Sequence, residues 1–231
     1  MSLRLKVCGM ARPDNLRTVA ALAPDFLGFI FYPKSRRFAG ATLQPADTAA
    51  LPAGIQKVGV FVDEKLEVMQ ARVREFHLDL VQLHGSETPE TCATLQDSGI
   101  PVSKAFAVGE TFDFSVLAPY VGHVTYFLFD TAGAQPGGNG TPFNWQLLEQ
   151  YHLQVPYFLA GGLALEHAAE LRNLCLPGLF ALDLNSRFET EPGVKDAGQL
   201  GQFFDQISIV STSAPKPPKP HSANSHQPTA Q

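Results

Sequence analysis

The chain has 231 residues, 45% of them hydrophobic, and a formal net charge of −5 with no basic block, so its charge gives no reason to expect nucleic acid or an anionic membrane as a partner. Three cysteines, Cys8, Cys92 and Cys175, match neither a disulfide framework nor a zinc ribbon, and no cysteine and histidine cluster has metal spacing; a reducing compartment and no metal are expected. Met1-Ser2-Leu3-Arg4 carries no signal-peptide core, and no apolar stretch approaches the roughly 18 residues that span a bilayer, which predicts a soluble, cytoplasmic protein.

The length suits a single-domain barrel as well as two small domains. From Ser211 the composition turns to proline, serine and lysine, as in Ala214-Pro215-Lys216-Pro217-Pro218-Lys219-Pro220, with nothing to bury. The expected organisation is one domain over 1–210 and a disordered tail of polyproline character over 211–231.

Leu3 to Val7 alternates apolar residues and stops at Cys8-Gly9, which reads as a first strand presenting Cys8 at its carboxyl end. A helix over Asp14 to Ala23 follows, entered through Pro13. Phe26 to Tyr32 is a continuous apolar run between Pro24 and Pro33, as expected of a strand covered on both faces, and Pro33 to Phe38 is a basic loop. Further along, a short helix over Leu43–Leu51 precedes a third strand over Gln56–Val62. The next helix, Lys65–Phe76, sets Leu66, Met69, Val73 and Phe76 on one face.

Leu78 to Gly85 is the fourth strand, Thr88 to Asp97 a helix stopped by Gly99, and Val102 to Val108 the fifth strand. A weaker helix over Phe114–Tyr120, a sixth strand over Tyr126–Thr131, a glycine-rich loop from Ala132 to Thr141 and a helix over Asn144–Tyr151 come next. Val155 to Leu163 holds the seventh strand with its loop, Leu165 to Leu174 a helix, Phe180 to Leu184 the eighth strand, and Asp196 to Ile209 the closing helix. Eight strands alternating with helices predict an α/β chain folded as a (β/α)8 TIM barrel; a doubly wound open sheet shares the alternation.

Chemistry on such a barrel sits on the loops after the strands. Reading only those positions collects Cys8, Arg36 and Arg37, Asp63, Gln82 and His84, Asp130, Gly161 and Gly162, Asp183, Asn185 and Ser186. Gly161-Gly162 and Asn185-Ser186, after strands seven and eight, stand where barrels commonly hold a phosphate, and Gly138 and Gly140 can add backbone N–H groups. Of the adjacent arginines, only one is expected over the barrel mouth, to pair a carboxylate or phosphate in fork geometry. Asp130 ends a very apolar strand, an environment that favours a general acid; a capping aspartate is the plain alternative. Cys8 is either a nucleophile, a base or a packing thiol, and His84 is the sole strand-end histidine.

Six blocks, in order, carry a resemblance: Lys6-Val7-Cys8-Gly9-Met10, Gly28 to Arg37, Lys57 to Val62, Val81-Gln82-Leu83-His84-Gly85, Gly137-Gly138-Asn139-Gly140 and Leu159 to Leu163. Together, over about Leu3 to Asp196, they resemble the signature blocks of the phosphoribosylanthranilate isomerase family of tryptophan biosynthesis. The resemblance implies a (β/α)8 barrel that converts N-(5-phosphoribosyl)anthranilate to 1-(2-carboxyphenylamino)-1-deoxyribulose 5-phosphate, an Amadori rearrangement without cofactor. It implies Cys8 as general base, Asp130 as general acid and Arg37 as the partner of the anthranilate carboxylate, with Arg36 flanking.

Gln82, His84, Gly138, Gly140, Gly161, Gly162, Asp183, Asn185 and Ser186 complete the expected substrate site. The partner is then a small phosphosugar-anthranilate molecule, and the protein a monomer or homodimer. Two departures stand out. After strand eight the family's small-residue turn, commonly Ser-Ser-Gly, is Asn185-Ser186-Arg187 here, and the tail past Ser211 has no counterpart. The histidine-pathway isomerase of the same reaction type resembles a doubled half-barrel with aspartate where Cys8 stands, and no internal repeat exists here; a barrel that binds a phosphorylated ligand without turnover needs neither Cys8 nor Asp130.

Overall fold

In a computed structural model, which describes residues 3–133 and 142–208, eight parallel strands close on themselves in chain order. They are β1 (Arg4–Val7), β2 (Phe26–Ile30), β3 (Gln56–Phe61), β4 (Leu80–Leu83), β5 (Val102–Val108), β6 (Tyr126–Thr131), β7 (Tyr157–Leu159) and β8 (Leu179–Leu184). The seam between first and last strand is fully paired, with Lys6 opposite Asp183 and Val7 opposite Leu184. The chain is therefore a (β/α)8 barrel and not an open doubly wound sheet. The tail over 211–231 and the glycines Gly138 and Gly140 lie outside the described residues.

Successive side chains of a strand point to opposite faces, so each barrel strand feeds two separate cores. Phe26, Val58, Leu80, Ala105, Leu128, Phe158, Ala160 and Ala181 form the inner cluster. Their neighbours one position along, such as Leu27, Val81, Phe127, Phe129 and Leu182, belong to the larger cluster between barrel and outer layer. This double burial explains why the strands read as unbroken apolar runs.

The outer layer is less regular than the strands. True α-helices are α1 (Pro13–Ala20), α2 (Pro45–Ala49), α3 (Leu66–Glu75), α4 (Pro89–Asp97), α5 (Ala168–Asn173) and α6 (Ala197–Ser208). Pro stands in the first turn of α1, α2 and α4, the helix expected over Leu43–Leu51 being shortened to Pro45–Ala49, and Met69 of the apolar face of α3 is fully buried. The helices expected over Phe114–Tyr120 and Asn144–Tyr151 are instead 3-10 turns, Phe114–Tyr120 and Trp145–Gln150. Pro119 lacks the N–H an α-turn needs, and Asp113 and Asn144 each accept from a backbone N–H two residues on, at 2.9 and 3.1 Å, which winds the chain tightly at its start. The helix expected over Leu165–Leu174 divides into a 3-10 turn, Leu165–His167, and α5, because His167 Nδ1 accepts from the Ala164 N–H at 3.1 Å.

Two features have no counterpart in the sequence reading. After β8 comes a 3-10 turn, Ser186–Phe188, and then a small hairpin of β9 (Glu189–Glu191) and β10 (Val194–Lys195). On the outer face of β5, Lys104 is 2% exposed, and its ammonium donates to the Gly85 carbonyl at 2.7 Å and to Glu87 at 3.2 Å. Glu87 in turn accepts from the backbone N–H groups of Asp63 and Gly85, both at 2.9 Å, so one buried ion pair ties the loops after β3 and β4 beside His84.

Removing one partner of a buried pair leaves the other charge uncompensated. Lys104→Met is therefore expected to lower stability by about 3 kcal/mol, read as a lower urea midpoint with an unchanged slope.

Candidate active site

The same alternation that builds the inner core places polar groups above it. Leu80, Leu128 and Ala181 fill the inner cluster, and the next inward positions on their strands are Gln82, Asp130 and Asp183. On β1 the inward series is Lys6 and then Cys8, while Leu5 and Val7 pack outward. One cavity opens here. It draws Cys8, Gln82, His84, Asp130 and Asp183 from strands and their ends, Arg36 and Arg37 from the loop after β2, and Gly161, Gly162, Asn185 and Ser186 from the loops after β7 and β8. Asp63, by contrast, is spent on structure, its Oδ1 accepting from the Ser86 N–H at 2.6 Å.

Beneath Cys8 lies a buried ammonium. Lys6 Nζ donates to Gln82 Oε1 at 2.6 Å and to Asp183 Oδ2 at 2.7 Å, linking β1, β4 and β8 across the barrel interior. Burial works against the charge of Lys6, but Asp183 and the Cys8 thiol outweigh it and hold the amine above the usual lysine range. Burial likewise pushes the Cys8 thiol up, with Lys6 and Lys195 pulling it back toward the thiolate. Asp183 lines the cavity, while its Oδ1 is fully buried and has no hydrogen-bond partner among the described residues.

Asp130 is set by its backbone and by packing. Its Oδ1 accepts from the Thr131 N–H at 2.8 Å, and its Oδ2 stands 3.4 Å from His84 Nε2. Gln82 Nε2 lies 3.1 Å from His84 Nδ1, so a chain of polar contacts runs from Lys6 through Gln82 and His84 to Asp130. Phe129, one position back, packs edge-on against Tyr157 and Tyr151 with ring centroids 5.0 and 5.7 Å away, which anchors the strand behind the carboxyl.

Two glycines are demanded by close approach. A Cβ on Gly28 would stand 2.6 Å from the Cys8 sulfur, so glycine on β2 leaves the thiol its room. Gly161 has φ +89°, and a Cβ there would stand 2.5 Å from the Thr131 nitrogen; only glycine lets this loop approach β6 so closely.

Arg36 and Arg37 share a turn closed by the Phe38 N–H donating to the Ser35 carbonyl at 3.2 Å, and both line the cavity rather than the one expected. Arg36 is exposed, whereas Arg37 is held by Glu189, with Nε to Oε1 at 2.8 Å and Nη2 to Oε2 at 2.7 Å. Glu189 also accepts from Lys195 Nζ at 2.6 Å, and Lys195 reaches Asn185 Oδ1 at 2.7 Å. Burial opposes the charge of Glu189, but its bonds to Arg37 and Lys195 hold the carboxyl below the usual range. Burial brings Lys195 down to about 8 against the pull of Glu189. Neither Glu189 nor Lys195 was marked by its sequence surroundings, since their partners lie far away along the chain. Arg187, in the departure after β8, lines the cavity and pairs with Glu166 at 3.1 Å, both side chains well exposed.

Comparison with known proteins gives the family of the barrel. A family model described as N-(5'-phosphoribosyl)anthranilate (PRA) isomerase matches residues 5–206. A protein of Parabacteroides distasonis named N-(5'-phosphoribosyl)anthranilate isomerase is 42% identical over 219 residues, covering 94% of this chain and 98% of that protein. The crystal structure of phosphoribosyl anthranilate isomerase from Thermotoga maritima superposes with a TM-score of 0.75 at 30% identity, covering 89% of this chain and 98% of that one. A further phosphoribosyl anthranilate isomerase, solved in complex with reduced 1-(o-carboxyphenylamino)-1-deoxyribulose 5-phosphate, has a TM-score of 0.69 at 28% identity, with the same coverage. No helix among the described residues is long and apolar enough to cross a membrane. With the family model spanning nearly the whole barrel and a relative of full length at this identity, the chain belongs to the phosphoribosylanthranilate isomerase family.

Proposed function

We propose that this barrel catalyses the Amadori rearrangement of N-(5-phosphoribosyl)anthranilate to 1-(2-carboxyphenylamino)-1-deoxyribulose 5-phosphate, with Cys8 as general base and Asp130 as general acid. The observation that carries the assignment is that the thiol of β1 and the carboxyl of β6 line one cavity at the carboxyl ends of the strands. Asp130, protonated, gives its proton to the furanose ring oxygen, and the C1′–O bond breaks to leave a Schiff base. Cys8 as thiolate then removes the proton from C2′, forming an enolamine that tautomerises to the ketone. The route moves protons only and asks for no cofactor.

The surroundings suit each role. Lys6, held charged under Cys8, opposes the burial that disfavours the thiolate. His84, 3.4 Å from Asp130, is placed to exchange a proton with it. Asp183, in the cavity wall, can accept a hydroxyl of the sugar. The substrate phosphate fits the glycine-lined loop at Gly161 and Gly162 with Ser186, where backbone N–H groups can approach an anion, and Arg37 faces the anthranilate carboxylate. All these groups come from one chain, so a monomer has a complete site and a homodimer would add none of them; the reading places the enzyme in the cytoplasm.

Cys8→Ala and Asp130→Asn are each expected to lower turnover about 10²-fold or more while leaving affinity for the reduced product largely intact. Loss of anthranilate-type fluorescence measures the first and calorimetry the second; full turnover in either variant removes that residue from its role. In the pH profile of kcat/KM, activity is expected to rise as Cys8 deprotonates, and Lys6→Met to move that rise to higher pH, because losing the nearby cation favours the neutral thiol. A shift to lower pH, or none, contradicts the assignment of the limb to Cys8. Rescue of a tryptophan auxotroph lacking this isomerase tests the activity itself.

A further inference from the structure

The hairpin of β9 and β10 is built around one carboxylate. Glu189 has a side chain only 4% exposed, yet it accepts from four donor groups: Arg37 Nε, shared at 2.8 Å on Oε1 and 3.0 Å on Oε2, Arg37 Nη2 at 2.7 Å, Lys195 Nζ at 2.6 Å and the Gly193 N–H at 3.1 Å. Such a bidentate grip takes the Nε–Nη2 edge of the guanidinium completely. What Arg37 has left for a ligand is its outer end, Nη1 and the second hydrogen of Nη2, and the same side chain lines the cavity shared with Cys8 and Asp130.

The charges of the knot point the same way. Arg37 and Lys195 bring two positive charges and Glu189 one negative, so the cluster keeps one net positive charge at the cavity, with Lys195 side-chain exposure at 0%. A buried carboxylate here does not cancel Arg37; it orients it. Its bonds to Arg37 and to Lys195 together keep Glu189 ionised while it does so.

We propose that Glu189 is a positioning residue for substrate choice: by occupying the inner edge of Arg37, it presents the outer edge of the guanidinium to the carboxylate of the substrate's aromatic ring and so sets the preference for a 2-carboxyphenyl over a plain phenyl amine. The proposal rests on the reading of Arg37 as the carboxylate partner. Glu189 itself touches no reacting atom; it acts through Arg37. A freed guanidinium would swing about its long side chain and offer either edge, and the carboxylate would lose its fixed fork.

The test compares two ligands, the reduced product carrying the ring carboxylate and the same molecule lacking it, by calorimetry on the full chain. Arg37→Ala is expected to weaken the carboxylated ligand and leave the other unchanged. Glu189→Gln is expected to do the same to a smaller extent, about tenfold, the scale of a misplaced charge-assisted hydrogen bond. On the Arg37→Ala background, Glu189→Gln is expected to add nothing. In turnover, Glu189→Gln should raise KM for the natural substrate with kcat held within about threefold.

Should Glu189→Gln fail to fold because Lys195 loses its counter-charge, the balanced pair Glu189→Gln with Lys195→Met carries the same comparison. Equal weakening of both ligands by Glu189→Gln would show a merely structural hairpin and overturn the proposal. If Arg37→Ala itself does not distinguish the two ligands, the reading of Arg37 falls and the proposal falls with it. If Arg37→Ala distinguishes them and Glu189→Gln does not, Glu189 alone is refuted.

Discussion

A charged amine in the middle of a closed barrel is the constraint around which the catalytic end is arranged. Lys6 is wholly buried, and an ammonium taken out of water is costly unless its hydrogen bonds are replaced. Gln82 from β4 and Asp183 from β8 replace two of them, and these contacts fix three strands at one level. The apolar cluster below can then be ordinary, since Phe26, Leu128 and Phe158 only have to fill space. Above the amine, the next inward position on β1 is the sulfur, and the inward positions of β4 and β6 are polar for the same reason of period. Structure and chemistry share one layer of the interior.

The electrostatics of that layer work by compensation rather than by single strong contacts. Cys8 is too deeply buried to ionise readily by itself, and two lysines on different elements oppose that burial. Lys6 comes from the same strand as the thiol, Lys195 from the hairpin after β8. The proposed acid has different neighbours: Asp130 receives one backbone N–H and stands 3.4 Å from His84 Nε2.

Much of the fold was legible because a strand buried on both faces leaves an unmistakable trace. Val102–Val108 and Tyr126–Thr131 are delimited by the same residues in sequence and structure, and the parity along them already set Asp130 on the side of Leu128. The outer layer was less legible, because whether Phe114–Tyr120 winds as an α-helix or a 3-10 turn depends on a proline in its last turn and on caps rather than on apolar spacing. Of the site, Cys8, Gln82, His84 and Asp130 could be placed by position alone. Glu189 and Lys195 could not, since the bond between Arg37 and Glu189 joins positions 152 apart and neither carries a local signature. The fork that Glu189 makes with Arg37 is likewise one that no neighbouring residue announces.

The ties at this rim share a topology. Lys6 reaches Asp183, Arg37 reaches Glu189, and Asn15 exchanges hydrogen bonds with Lys195 at 2.8 Å each way. Each joins the beginning of the polymer to its final segments, across the strand pairing that shuts the barrel. During synthesis the thiol and Lys6 emerge from the ribosome early, but Asp183, Glu189 and Lys195, which complete these ties, arrive only with the last helix-loop units. A partly made molecule holds a cysteine in an unfinished half-cylinder and no reaction centre, so isomerase chemistry begins only when the ring is complete.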